Sequence, residues 1–144
     1  MFQPKNSAFR KVILEKLKGN HFSHHLQFRL TKIKAGYTEG EMTILPVHQQ
    51  QNGFVHGGVI SSVSDIVAGF AAFSLVGENE FVVTAEIKIS YLHPGIGKKI
   101  WAKGWVLKPG SKLHFCESEV WTVSGKKKLL IAKATATMAV VERT

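Results

Sequence analysis

The chain has 144 residues, of which 44% are hydrophobic and 20% are charged. This length and composition predict one globular domain over residues 1–144, with enough apolar side chains for a hydrophobic core. The only cysteine, Cys116, excludes an intrachain disulfide framework and favours a reducing compartment, so we expect a cytoplasmic protein. Residues 1–18 carry scattered charges and lack the continuous apolar segment of a signal peptide.

The 19 Lys and Arg residues outnumber the 10 Asp and Glu residues, and the net charge of +9 favours anionic partners. The positive charge is dispersed, and its densest cluster, Lys126–Lys128, follows a Ser-Gly pair as in the tip of a hairpin. No zinc-finger spacing, helix-turn-helix pair or ribonucleoprotein aromatic motif accompanies it, so we expect no nucleic-acid partner. His21, His24 and His25 have no carboxylate or cysteine beside them, and we predict no metal site.

The first part of the chain predicts a short helix followed by two strands. Apolar residues recur at helical spacing from Phe9 to Leu17, after Asn6 and Ser7 as candidate caps, and Gly19 ends the helix. Alternating apolar and polar residues then predict strands over 26–33 and 37–45.

A loop and a helix follow over residues 50–76. The segment begins with polar residues and Gly53, and it continues as an almost unbroken apolar run that ends near 77–79. A helix that is apolar around its whole circumference must be covered by other structure. We do not expect it to cross a membrane, because it contains several serines and Asp65.

The second half of the chain is rich in predicted strands. They cover residues 82–92, 100–108, 113–123 and 129–141. Short turns connect them, which favours an antiparallel meander. In the first of these strands Val83 begins an apolar face that continues to Tyr91, and Thr84 falls on the opposite, polar face.

These elements predict an α+β fold in which a long antiparallel sheet wraps around the central apolar helix, with the short N-terminal helix beside it. If the alternation continues, the outer face of the sheet carries Trp101, Trp105, Phe115 and Trp121. An exposed apolar face of this kind favours an oligomer.

The central helix contains one charged side chain, Asp65, on the same face as Gly58, Ser61 and Ser62. A carboxylate there is costly to bury, so it is either hydrogen-bonded at a subunit contact or takes part in chemistry. Gly57 and Gly58 favour a catalytic role, because unobstructed backbone N–H groups at the positive end of a helix dipole stabilise a carbonyl oxygen that gains negative charge. Under the structural interpretation the two glycines only form a tight turn. The spacing of the residues does not by itself distinguish the structural from the catalytic interpretation.

A set of short motifs appears along the chain in a fixed order: Gly53 and His56-Gly57-Gly58, then Asp65, then Ile89-Ser90-Tyr91 with Pro94, and Gly110. In these residues, and over nearly its whole length, the chain resembles the PaaI-like acyl-CoA thioesterases of the hotdog-fold superfamily. Gln50 stands where the family carries Asn or Gln, six residues before the histidine. The resemblance implies a hotdog fold and hydrolysis of an acyl-CoA thioester to a free acid and CoA. It implies no separate cofactor, since CoA is part of the substrate.

The resemblance also implies a role for each matched residue. The Gly57 N–H polarises the thioester carbonyl, and Asp65 activates water or attacks the carbonyl carbon directly. Asp65 would reach from the neighbouring subunit of a homodimer or homotetramer. Gln50 positions the water or the thioester, and Thr84 matches a family position whose hydroxyl helps to hold the water. His56 fixes the loop through a ring hydrogen bond or acts as a general base, and the first role is favoured.

Further substrate contacts are expected at the helix start and at the hairpins. Gly58 and Ser61 are candidates at the helix start. The CoA phosphates suit basic hairpin residues, either Lys108, Ser111 and Lys112 or Lys126–Lys128. The acyl pocket has four candidate lining residues, which also suit a plain core: Met42, Phe54, Phe70 and Phe73.

Two other functions stay open on the sequence. One is a non-catalytic acyl-CoA-binding module that uses the same groove. The other is a hotdog hydratase or dehydratase acting on enoyl-CoA, which would place a histidine and a carboxylate together as acid and base.

Overall fold

The computed structural model describes residues 2–144, which form one six-stranded antiparallel sheet with a long helix on its concave face. The elements in chain order are α1 Phe9–Lys18, α2 His21–Leu26, β1 Arg29–Lys34, β2 Tyr37–Thr43, α3 Gly57–Phe73, β3 Glu80–Tyr91, β4 Lys99–Pro109, β5 Leu113–Ser124 and β6 Lys127–Glu142. A single 3-10 turn, Pro46–His48, precedes the loop that leads into α3. No helix within these residues is long and apolar enough to span a membrane.

The α+β fold predicted from the sequence is confirmed, but the strand order differs from a simple meander. The order is β1-β2-β4-β5-β6-β3, so β3 pairs with β6 at one edge and β4 pairs with β2. The meander prediction holds for β4, β5 and β6, which are joined by short turns. It is wrong for β3, because the 92–98 connection is long enough to carry the chain across the end of the sheet.

The N-terminal part contains a helix that alternation did not predict. Residues 21–26 form α2, whose first turn is capped by the Asn20 side chain accepting a hydrogen bond from the Ser23 N–H at 3.1 Å. The first strand therefore begins at Arg29 and not at Leu26. The predicted caps of α1 are also corrected, since α1 begins after Ala8, and Asn6 accepts instead from the Ala8 N–H at 2.8 Å.

The core lies between α3 and the middle strands. Gly104 of β4 faces Val67 so closely that a Cβ atom would lie 2.5 Å from the Val67 carbonyl carbon, and the helix therefore sits directly on the sheet. The buried Thr38 hydroxyl donates to the Val67 carbonyl oxygen at 2.7 Å. Val63 and Val67 are fully buried, as expected for a helix that is apolar on every side. The helix ends at Phe73, one turn before the predicted end.

The outer face of the sheet carries the four aromatic residues that the alternation predicts, and Phe115 is 45% exposed there. The indoles of Trp101, Trp105 and Trp121 are partly covered, with the Lys128 ammonium 4.0 Å from the Trp101 ring centroid. The Lys103 ammonium also forms an ion pair with Glu119 at 3.0 Å. Lysine stems therefore cover much of the aromatic surface, because long cationic side chains lie along apolar surface with their charges in water.

Candidate active site

Asp65 and Thr84 form a hydrogen-bonded pair between α3 and β3. The Thr84 hydroxyl donates to Asp65 Oδ1 with 2.6 Å between the two oxygens, and it also lies 3.4 Å from the Met138 sulfur. The bond holds the carboxylate in one orientation and leaves Oδ2 without a protein donor among residues 2–144.

The position of Thr84 corrects the alternation predicted for its strand. The pairing of β3 with β6 shifts register between Thr84 and Glu86, which is the signature of a β-bulge. Val82 and Thr84 therefore face α3 before the bulge, while Ile87 faces the core after it and Val83 is 46% exposed. The predicted apolar face is right only beyond the bulge.

A cavity of about 640 Å³ opens beside this pair. Its walls are mostly apolar and aromatic, and Phe70 and Phe73 of α3 contribute to them. Met42 does not, since it is 2% exposed within the core. The lining residues are Lys16, Gly19, Asn20, His21, Asp65, Ile66, Gly69, Phe70, Phe73, Phe81, Val82, Val83, Thr84 and Met138.

The start of α3 presents one free backbone N–H group, that of Gly57. Among residues 2–144 it has no hydrogen-bond acceptor, whereas the Gly58 N–H donates to Nδ1 of His56 at 2.8 Å. The prediction of two free N–H groups is therefore wrong for Gly58. The same bond makes His56 the cap of the helix and places its ring proton on Nε2. Tyr91 donates to the Gly57 carbonyl oxygen at 3.2 Å and ties the helix start to β3.

The loop before α3 brings Gln50 close to Gly57. The Gln50 N–H donates to the Phe54 carbonyl at 2.8 Å, and its side-chain oxygen accepts from the Asn52 N–H. Gly53 has a φ of 81°, which favours glycine in this turn. Gln50, Phe54, Gly57 and Tyr91 line a second cavity of about 300 Å³. The amide nitrogen of Gln50 is left without an acceptor among the described residues.

The two halves of the predicted site are separate within one chain. Asp65 and Thr84 line the larger cavity, and Gly57 and Gln50 line the smaller one. Gly57 and Asp65 stand on one rigid helix, where eight residues correspond to about 12 Å of rise. An oxyanion donor must lie about 3 Å from the reacting oxygen. One thioester carbonyl cannot meet both residues of the same chain.

The other predicted contact residues are distributed over the molecule. The Ser61 hydroxyl donates to the Gly58 carbonyl at 3.0 Å, so its hydrogen bond is made within the helix. Lys108, Ser111 and Lys112 are exposed at the β4–β5 hairpin, near the C-terminal end of α3. Lys126–Lys128 lie at the opposite end, where the neighbouring Lys98 N–H donates to Ser124 Oγ at 3.1 Å.

Two other candidate groups have a structural explanation. Burial raises the pKa of the Cys116 thiol to about 12, so this cysteine is a core residue and not a nucleophile. His21, His24 and His25 all belong to α2, and the structure of residues 2–144 brings no three metal-ligating side chains together. No pattern in the sequence indicated that Lys16 and His21 line the larger cavity, because only the packing of the N-terminal helices in the folded chain places them there.

The chain is similar in sequence to known thioesterases. Residues 52–128, more than half of the chain, match the sequence profile described as "Thioesterase superfamily". The "Medium/long-chain acyl-CoA thioesterase YigI" of Escherichia coli is 28% identical over 146 aligned positions, covering 87% of this chain and 92% of that protein.

Two solved structures share the architecture. A thioesterase family protein from Silicibacter pomeroyi superimposes with a TM-score of 0.91 at 28% identity, covering 93% of this chain and 98% of that chain. The Escherichia coli PaaI protein has a TM-score of 0.85 at 16% identity, covering 97% and 98%, and shows the fold alone. The chain therefore belongs to the thioesterase superfamily and has its hotdog fold.

Proposed function

We propose that this protein hydrolyses acyl-CoA thioesters to a free acid and CoA, at a site shared between two copies of the chain. One observation carries the proposal: α3 holds a free N–H at Gly57 and an oriented carboxylate at Asp65, in different cavities and about 12 Å apart along the helix. Each is half of an acyl-transfer site. A second copy supplies the missing half to each.

The chemistry assigned to these groups balances without a cofactor. Asp65 removes a proton from water while the water oxygen attacks the thioester carbon, and the Gly57 N–H stabilises the oxyanion that forms. Collapse of this intermediate breaks the C–S bond, and the thiolate leaves and takes up the proton. Thr84 keeps one Asp65 oxygen occupied so that the other faces the water. Direct attack by Asp65 is the alternative, and it would leave an acyl-enzyme that mass spectrometry detects.

The free edge of β3 supports a two-fold assembly. β3 pairs only with β6, and Val83 is exposed beside the unpaired edge. An open strand edge pairs readily with a second strand. β3 runs from the C-terminal end of α3 back to Gly57, where Tyr91 contacts it. Antiparallel pairing with the β3 of a second copy would bring the Gly57 end of one chain toward the Asp65 half of the other. A dimer is the minimal unit, and a tetramer built from two such dimers keeps the same site.

The same arrangement gives the basic residues a role with CoA. In the two-fold pair proposed above, the partner's β4–β5 hairpin would lie at the end of the sheet where Gly57 stands. Lys108, Ser111 and Lys112 are exposed there, and their donors suit the CoA phosphates. Lys126–Lys128 are the second candidate, at the Gly57 end of the same chain.

The deciding experiment is thiol release from short-chain, long-chain and aryl acyl-CoAs by the wild type and Asp65→Asn. The variant should fold normally and lose at least about thirtyfold in kcat, equivalent to ~2 kcal/mol of transition-state stabilisation. Glu78→Gln makes the same chemical change at an exposed turn residue and should leave turnover unchanged.

Three results would contradict the proposal. Unchanged turnover in Asp65→Asn would exclude the mechanism. Tight calorimetric binding of acyl-CoA by the wild type without thiol release would indicate a binding module. Hydration of an enoyl-CoA without thiol release would indicate a hydratase.

A further inference from the structure

The larger cavity runs along one face of α3, away from Asp65. Asp65, Gly69 and Phe73 are spaced four residues apart, so they lie in one row that spans about 12 Å. Nothing lies within 4 Å of a Cβ atom built at Gly69, which leaves the middle of the row open. The cavity therefore has a reactive end at Asp65 and a far end at Phe73.

Polar groups from the N-terminal part of the chain also line the cavity: Lys16 of α1, Asn20 and His21 of α2. The Lys16 ammonium lies 5.4 Å from the centroid of the Phe73 ring. Apart from Asp65 at the opposite end, no carboxylate lines this cavity among the described residues.

Lys16 has no anionic partner within residues 2–144. The ion pairs of the molecule do not include it, and the neighbouring Glu15 is engaged by Lys18 at 2.8 Å. Partial burial lowers the pKa of Lys16, and the positive charge of Arg143 lowers it further. The Lys16 ammonium therefore borders the cavity beside Phe73 as an unpaired positive charge, which suits an anionic group of a ligand that reaches it.

We propose that the acyl group taken by this cavity ends in an anionic group, a carboxylate at its far carbon, which pairs with Lys16. The proposal rests on the proposed thioesterase function. The apolar wall formed by Ile66, Phe70 and Val82 contacts the methylene chain. The carboxylate meets Lys16 and the hydrogen-bonding groups of Asn20 and His21. An acyl chain with a methyl end would leave Lys16 partly desolvated and unpaired, so the same residue selects against it.

The test compares two thioesters of equal chain length, octanoyl-CoA and its ω-carboxyl analogue suberyl-CoA. The wild type should hydrolyse suberyl-CoA with a kcat/KM at least equal to that for octanoyl-CoA. Lys16→Met keeps an unbranched stem over Phe73 and removes the charge. It should lower the ratio of kcat/KM for suberyl-CoA to kcat/KM for octanoyl-CoA about tenfold, as expected for one charge-assisted contact. Turnover of octanoyl-CoA should persist.

Lys11→Met is the matched control, because Lys11 lies on the same helix and does not line this cavity; it lines a neighbouring cavity, which Lys16 also borders. It should leave the ratio unchanged. A ratio that Lys16→Met does not move, or that Lys11→Met moves equally, would overturn the proposal.

Calorimetry separates a failure of this inference from a failure of the thioesterase function. If the wild type releases no thiol from either thioester, the function is wrong. The Lys16 pairing is then decided by the affinities of the two thioesters for wild type and Lys16→Met. Selective loss of suberyl-CoA affinity supports it, and equal affinities in both proteins overturn it.

Discussion

The Thr84 hydroxyl and the Asp65 carboxylate share a 2.6 Å hydrogen bond between β3 and α3. Thr84→Val keeps the shape of the side chain and removes the donor, so the carboxylate loses its fixed orientation. We expect kcat to fall about tenfold to a hundredfold with little change in KM, as for the loss of one positioning group in acid–base catalysis. Thr84→Ser keeps the hydroxyl and should retain most of the activity. Equal kcat values for the two variants in a thiol-release assay would argue against this role.

The N–H of Gly57 can be removed without breaking α3. Gly57 is the first residue of the helix, where proline is tolerated, and His56 already has a φ of −61° and a ψ of 137°, which suit a residue before proline. Gly57→Pro should lower kcat about a hundredfold, the typical effect of losing an oxyanion donor. Gly57→Ala keeps the N–H and places its Cβ 3.4 Å from the Tyr91 ring, an ordinary contact, so it should stay active. Circular dichroism and kcat measured on both variants check this.

Mixing two inactive variants tests whether the site is shared. A mixed dimer of Gly57→Pro and Asp65→Asn contains one site with both changes and one site with neither. Random assortment makes half of the dimers mixed, so co-expression of the two chains should restore about a quarter of wild-type turnover. Each variant expressed alone serves as the control. Absence of recovery in purified mixed dimers would mean that both residues act within one chain.

The stability of the fold should depend on pH through His114. This side chain is buried, and desolvation lowers its pKa below the ordinary value. Above about pH 6.5 both the folded and the unfolded chain are neutral at this residue. As the pH falls, the unfolded chain binds the proton first, so the free energy of unfolding decreases until the pH passes the lower folded pKa.

Urea unfolding between about pH 7.5 and about pH 5.5 measures this effect. The wild type should lose stability across this range, and His114→Gln should show a smaller loss. His25→Gln, at an exposed position on α2, should behave like the wild type. The prediction is wrong if His114→Gln retains the full pH dependence.

Several parts of the fold and site followed from local patterns. The apolar run after Gly57 predicted a buried helix, and the 3.6-residue period placed Asp65 two turns from its start. The turn residues predicted the hairpins on either side of β5. The α2 helix was missed because its six residues, rich in histidine, carry no periodic apolar pattern.

The sequence by itself determined the spacing of Gly57 and Asp65, because the rise of a helix is set by contiguous residues. Only the tertiary structure decided that Thr84 meets Asp65, that β3 lies at the edge of the sheet and that Lys16 lines the cavity. The first depends on a bulge in the pairing of β3 with β6, and the last on α1 docking beside α3. These contacts join residues far apart in the chain, so no local pattern of apolar and polar residues records them.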